Sequence, residues 1–138
     1  MSKNVILLIL ICVGLFIFVL PRGGKGPAGN IAWNTQADAA LTPESVANAN
    51  KPAVVVFTAS WCPPCKEMKQ KTWPDPRVEA GIKPFNAVWV DIDDHPELSQ
   101  KFGIQSIPTI VKLDAASKEL GRLNGFVSPE AMAEWLAR

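Results

Sequence analysis

Residues able to cross-link a chain or hold a metal are scarce here, with three cysteines and one histidine among 138 residues. A chain of this length buries a core without disulfide staples, so three cysteines are too few for a structural framework. A closed zinc site is also short of ligands. With Cys12 set aside inside an apolar run, His95 is the only other cysteine or histidine beyond Cys62 and Cys65, so four ligands would require a shell shared between two chains. His95 precedes a proline in a turn-prone stretch and is read as part of a solvated loop or a helix cap. The acidic stretch Asp91-Ile92-Asp93-Asp94 lacks the glycine and distal glutamate of a calcium loop and is read as a solvated strand end, so no metal is expected. A basic stripe is missing too. All 13 acidic residues lie beyond position 25, alongside 11 basic ones, which gives no footprint for neutralising phosphates and excludes nucleic acid as an expected partner. No internal repeat or low-complexity tract is present.

Charge is absent from residues 5–20, sixteen consecutive apolar or small residues flanked by Lys3 and by Arg22 and Lys25. That length lies just below the roughly 17–25 residues that span a bilayer and just above the roughly 7–15 of a secretory signal. Gly26-Pro27-Ala28 makes a poor cleavage site because of its central proline, so residues 1–22 are read as a retained membrane anchor with residues 5–20 in lipid. Lys3 and the terminal amine favour a cytoplasmic N-terminus, against the weaker pull of Arg22 and Lys25. Cys12 is read as an apolar filler. Residues 23–30, rich in glycine, form a spacer, and residues 31–138 a single domain.

Within that domain Thr42-Pro43-Glu44 predicts a capped helix to about residue 50. Residues 53–58, β-branched and without alternation, predict a central strand buried on both faces. Residues 63–72 are competent helix formers, and Trp73-Pro74-Asp75-Pro76 is expected to break them with a kink or loop. Strands follow at 87–92, 109–113 and 121–126. A short helix runs to about residue 102, and a final helix is capped by Ser128 with Pro129 at its first position. Trp33, Trp89 and Trp135 are assigned to packing.

The chemistry lies in Trp61-Cys62-Pro63-Pro64-Cys65, where a buried strand gives way to a helix. Cys62 at a helix N-terminus meets unsatisfied N–H groups and the positive end of the dipole, which favours the thiolate that attacks disulfides. Cys65 lies one turn on, near enough to bond with Cys62 and expected to be the less accessible of the two. Cys62 is therefore the expected nucleophile and Cys65 the resolving thiol. Pro63 and Pro64 remove two backbone donors and leave the Cys65 N–H, which points to a weaker stabilisation of the thiolate and a potential toward the reducing end.

The segment Phe57-Thr58-Ala59-Ser60-Trp61-Cys62-Pro63-Pro64-Cys65-Lys66, with Ile107-Pro108-Thr109, resembles the two signatures of the thioredoxin family. The resemblance covers residues 31–138 and implies an α/β fold, a central mixed sheet of four to five strands flanked by helices, here preceded by one transmembrane helix. It also implies a cis Pro108 beside the Cys62 sulfur, strand-like substrate pairing along Ile107, and Trp61 in an exposed docking surface. Residues 71–78 look like the C-terminal thioredoxin-like domain of the thiol reductase DsbD, although Lys69 stands where that domain carries an acid. The family's buried aspartate and its lysine partner correspond to Val56 and Trp89. The proton of Cys65 therefore needs another acceptor, with Glu67 or water as candidates.

The expected function is thiol:disulfide exchange or disulfide reduction by the Cys62/Cys65 pair without a bound cofactor. The resemblance implies envelope protein substrates, apocytochrome c among them, a membrane or periplasmic electron donor, and a bacterial inner-membrane location with the domain facing the periplasm. The alternatives are an oxidase that donates its disulfide to folding proteins, and a thioredoxin-fold binding module whose cysteines are incidental.

Overall fold

The computed structural model describes residues 29–37 and 50–138. The anchor, most of the spacer and the helix expected after Thr42 lie outside them. Among the described residues no helix is long and apolar enough to cross a membrane.

The elements run β1 (Ala53–Thr58), α1 (Pro63–Lys71), α2 (Pro76–Ile82), β2 (Asn86–Asp91), α3 (Pro96–Lys101), β3 (Thr109–Leu113), β4 (Glu119–Asn124) and α4 (Pro129–Ala137). They build a four-stranded mixed sheet in the order β2-β1-β3-β4. β1 pairs parallel with β2 and antiparallel with β3, and β3 pairs antiparallel with β4. Asn34 adds one parallel bridge to Val88 on the outer side of β2.

β1 carries no alternation because every one of its residues is buried. Val55 and Phe57 join Val88, Val90, Leu98 and Val111 in a core on one face of the sheet. Val54 and Val56 join Met68, Trp73, Val78, Ile110, Met132 and Leu136 on the other. Each such side chain contributes roughly 1.5–3 kcal/mol by leaving water, so β1 anchors both layers at the strand whose end carries the cysteine motif.

The stretch after α1 is where the structure departs from the expected kink or loop. α1 does end at Lys71, but Asp75 caps a second helix, its carboxylate accepting the Arg77 N–H at 2.9 Å, with Pro76 at the first helical position. A proline there loses no intrahelical bond, so Pro76 starts a helix. Buried Thr72 donates its hydroxyl to the Val127 carbonyl at 2.7 Å, tying the end of α1 to the approach to α4. Arg77 bridges Asp75 at 2.9 Å and Glu130 at 2.8 Å, linking α2 to α4. Its guanidinium holds the Asp75 carboxyl down at about 2.

The last strand, Glu119–Asn124, begins two residues before the expected one. Ser117 takes a positive φ of 64° in the tight turn from β3, and a bulge at Lys112/Leu113 shifts the register. Exposed Phe126 lies beyond the strand.

Candidate active site

Cys62 is the N-cap of α1, with extended backbone (φ −85°, ψ 112°) and Pro63 and Pro64 opening the helix. Prolines at the first turn cost no hydrogen bond and leave the Cys65 N–H as the nearest inward donor. That N–H donates to Cys62 Sγ at 3.3 Å, as the double proline leads one to expect. The sulfur thus occupies the position usually held by a serine or aspartate oxygen at a helix N-terminus, where negative charge is stabilised. Cys62 and Cys65 are joined in a disulfide with Cα atoms 5.3 Å apart.

The difference in exposure expected between the two cysteines is absent in this oxidised state. Cys62 is 2% and Cys65 4% exposed, both packed with Ala59 against Ile92 and Ile107. Accessibility therefore does not rank the pair, and the cap geometry does.

The Ile107–Pro108 peptide is cis, as the resemblance implies, and the Ile107 carbonyl oxygen lies 3.7 Å from Cys62 Sγ. The two signatures, 45 residues apart in sequence, therefore meet at one point. Trp61 is 59% exposed, and its indole N–H donates to Asp93 Oδ2 at 2.8 Å, which fixes an apolar plate beside the disulfide. A groove of about 360 Å³ runs alongside, lined by Trp61, Ile92, Ile104, Gln105, Ser106 and Ile107 among others. Pro63 is exposed and Pro64 half-buried at the start of α1.

Glu67 points elsewhere. Its carboxylate pairs with Lys71 at 2.8 Å on the exposed side of α1. His95 occupies the N-cap position of α3 without a side-chain cap bond, and its Nδ1 lies 3.7 Å from a Glu97 oxygen.

Val56 and Trp89 are register partners across β1 and β2, so the two positions that the resemblance pairs form one apolar contact here. Trp89 stacks edge-on with Trp33 at 5.1 Å and Trp73 at 6.4 Å, and the cluster belongs to the second core. Packing of this kind adds roughly 0.5–1.5 kcal/mol per aromatic pair beyond burial and leaves no uncompensated charge inside.

A family model described as a thioredoxin-like domain matches residues 40–138. The chain belongs to the thioredoxin-like family. Its relatives include the thiol:disulfide interchange protein DsbD of Haemophilus influenzae (strain PittEE), 26% identical over 90% of this chain and 26% of that protein. A thioredoxin of Alicyclobacillus acidocaldarius is 32% identical over 64% of this chain and 81% of its own length. Among solved structures, the oxidised C-terminal domain of Neisseria meningitidis DsbD superposes with a TM-score of 0.60 at 26% identity, covering 75% of this chain and 97% of that domain. The chain spans between 16% and 26% of the length of the DsbD proteins it matches. The thioredoxin-like domain carries, in its Cys62–Cys65 pair, the redox centre of a thiol:disulfide oxidoreductase.

Sequence reasoning missed the Trp61–Asp93 bond and a cavity behind Cys65 lined by Lys69 and Asp91. The first had a partial signal in the acidic cluster after β2. The second depends on strand register, which local composition does not encode.

Proposed function

We propose that this protein is a membrane-tethered disulfide reductase or exchange enzyme working on envelope proteins, held by residues 5–20 with its thioredoxin-like domain on the periplasmic side of a bacterial inner membrane. The observation that carries the reading is the Cys62 sulfur capping α1, bonded to Cys65 and 3.7 Å from the carbonyl of Ile107. Support for the envelope role comes from the likeness to the DsbD C-terminal domain and from the uncharged run at residues 5–20.

In the reduced state the Cys62 thiolate attacks a substrate disulfide and expels one substrate thiolate. The Cys65 thiolate then attacks Cys62 Sγ, frees the second substrate sulfur and leaves the Cys62–Cys65 disulfide. Two electrons have passed to the substrate, and a partner dithiol restores the pair. Trp61, Pro63, Pro64 and the backbone of Ile107 line the approach. A substrate segment in extended conformation pairs with that backbone while its side chains rest on the Trp61 plate and in the adjoining groove.

Pro63 and Pro64 limit the donors around Cys62, so the pair is expected to equilibrate with thiol buffers near the potential of a reducing thioredoxin, about −270 mV. Redox titration of the full-length protein against graded dithiothreitol, followed by mass after alkylation, measures it. A value near the roughly −120 mV of a strong oxidant would instead make the protein a disulfide donor to folding chains.

A further inference from the structure

Resolution needs more than proximity, because the Cys65 thiol must lose its proton before its sulfur can attack. Its surroundings on one side are apolar, with Ala59, Ile92 and Ile107. On another side it borders a cavity of about 210 Å³ lined by Thr58, Ala59, Ser60, Lys66, Lys69, Trp89 and Asp91. The charged groups lining it are Lys66 and Lys69 from α1 and Asp91 from β2, while the end of β1 and the loop after it contribute only the hydroxyls of Thr58 and Ser60. An ammonium group donates and does not accept, and a hydroxyl is too weak a base, so Asp91 is the one lining side chain suited to take a proton. One Asp91 oxygen is used: Oδ1 accepts the Asp93 N–H at 3.0 Å. Oδ2 has no hydrogen-bond partner and the carboxylate no ion pair among the described residues. Its place is fixed by the parallel pairing of Thr58 with Asp91, which brings the end of β2 beside the end of β1, just before the motif. Glu67, two residues from Cys65 on the helix, faces away and is paired with Lys71.

We infer that Asp91 is the proton acceptor for Cys65 in the resolving step, a role that rests on the exchange reading above. The Asp91 carboxylate takes the Cys65 proton through a water in the cavity they share, and the Cys65 thiolate forms a bond to Cys62 Sγ. The mixed disulfide bond breaks, its electron pair leaves with the substrate sulfur, and the proton on Asp91 returns to solvent. Lys66 and Lys69 offset the negative charge that shifts from oxygen to sulfur.

Stopped-flow reaction of the reduced full-length protein, in detergent, with a symmetric aryl disulfide that releases a coloured thiolate separates the two steps. The first release, attack by Cys62, scales with reagent concentration; the second, resolution by Cys65, does not. In Asp91→Asn, which keeps an oxygen for the Asp93 N–H, the first phase is expected to match the wild type. The second is expected to slow about tenfold near neutral pH, where a free thiol is already a few per cent ionised, and to recover as alkaline pH ionises Cys65 without help. A second phase equal to wild type at every pH, or slowed by one constant factor at every pH, would overturn the assignment while leaving the exchange reading intact. A wild-type protein with no first phase would overturn both.

Discussion

Replacing Cys62 with serine is expected to lower disulfide reduction by the full-length protein at least about a thousandfold, because a serine hydroxyl stays protonated where a thiol ionises and is a far weaker nucleophile toward sulfur. Insulin reduction with dithiothreitol as electron source is a direct assay. The substitution is conservative in the fold. Serine is a favoured N-cap, so its oxygen can accept the Cys65 N–H that now bonds Cys62 Sγ, and α1 keeps its start. An unchanged thermal transition of the reduced protein, together with lost activity, would assign the effect to chemistry. Residual activity within tenfold of wild type would make the cysteines incidental and the domain a binding module.

The second large effect is a trap. Cys65→Ser retains the attacking sulfur but removes the thiol that expels the substrate, so the first exchange proceeds and the mixed disulfide accumulates. Turnover then depends on an external thiol in place of one held a single helical turn away, and the loss of that high effective concentration lowers it by about a hundredfold or more. Non-reducing gels of cells producing the variant should show adducts that collapse on reduction, and their mass spectra name the substrates. Envelope proteins among them would support the proposed location, and cytoplasmic proteins alone would refute it. Absence of adducts alongside normal Cys62 reactivity would mean that the groove beside Trp61 and Ile107 does not receive protein segments.

How much of this was legible beforehand follows from the range of the interactions involved. β1 and β3 were readable to the residue, since short runs rich in β-branched and apolar residues between turn signals have few other fates. Ser128-Pro129 announced α4 in the same way. Asp75-Pro76 carries that same cap-and-proline signal and was outweighed by Pro74 nearby, although Pro74 sits in the turn between α1 and α2. The motif located the sulfur and its backbone donor, both set within four residues. What faces Cys65 from across the sheet was not readable, because it depends on the register that places Asp91 beside Thr58. The expected exposure difference between the cysteines failed for a related reason, since bond formation and the packing of Ile92 and Ile107 cover both.

The apolar Val56–Trp89 contact shows the same dependence on pairing. Each position alone reads as ordinary core; the resemblance pairs the two, and the register places them in one cluster with Trp33 and Trp73. With the Val56–Trp89 contact uncharged, the acid–base chemistry inferred for Cys65 falls to the end of β2, where Asp91 and two lysines border the cavity at the resolving cysteine.

A short pulse of iodoacetamide on the fully reduced wild-type protein at neutral pH, with the labelled cysteine located by mass spectrometric fragmentation, asks which sulfur is reactive. Label on Cys62, with Cys65 modified only slowly, is the predicted pattern for a thiolate seated at the cap of α1. Label first on Cys65, or equal slow labelling of both, would contradict it.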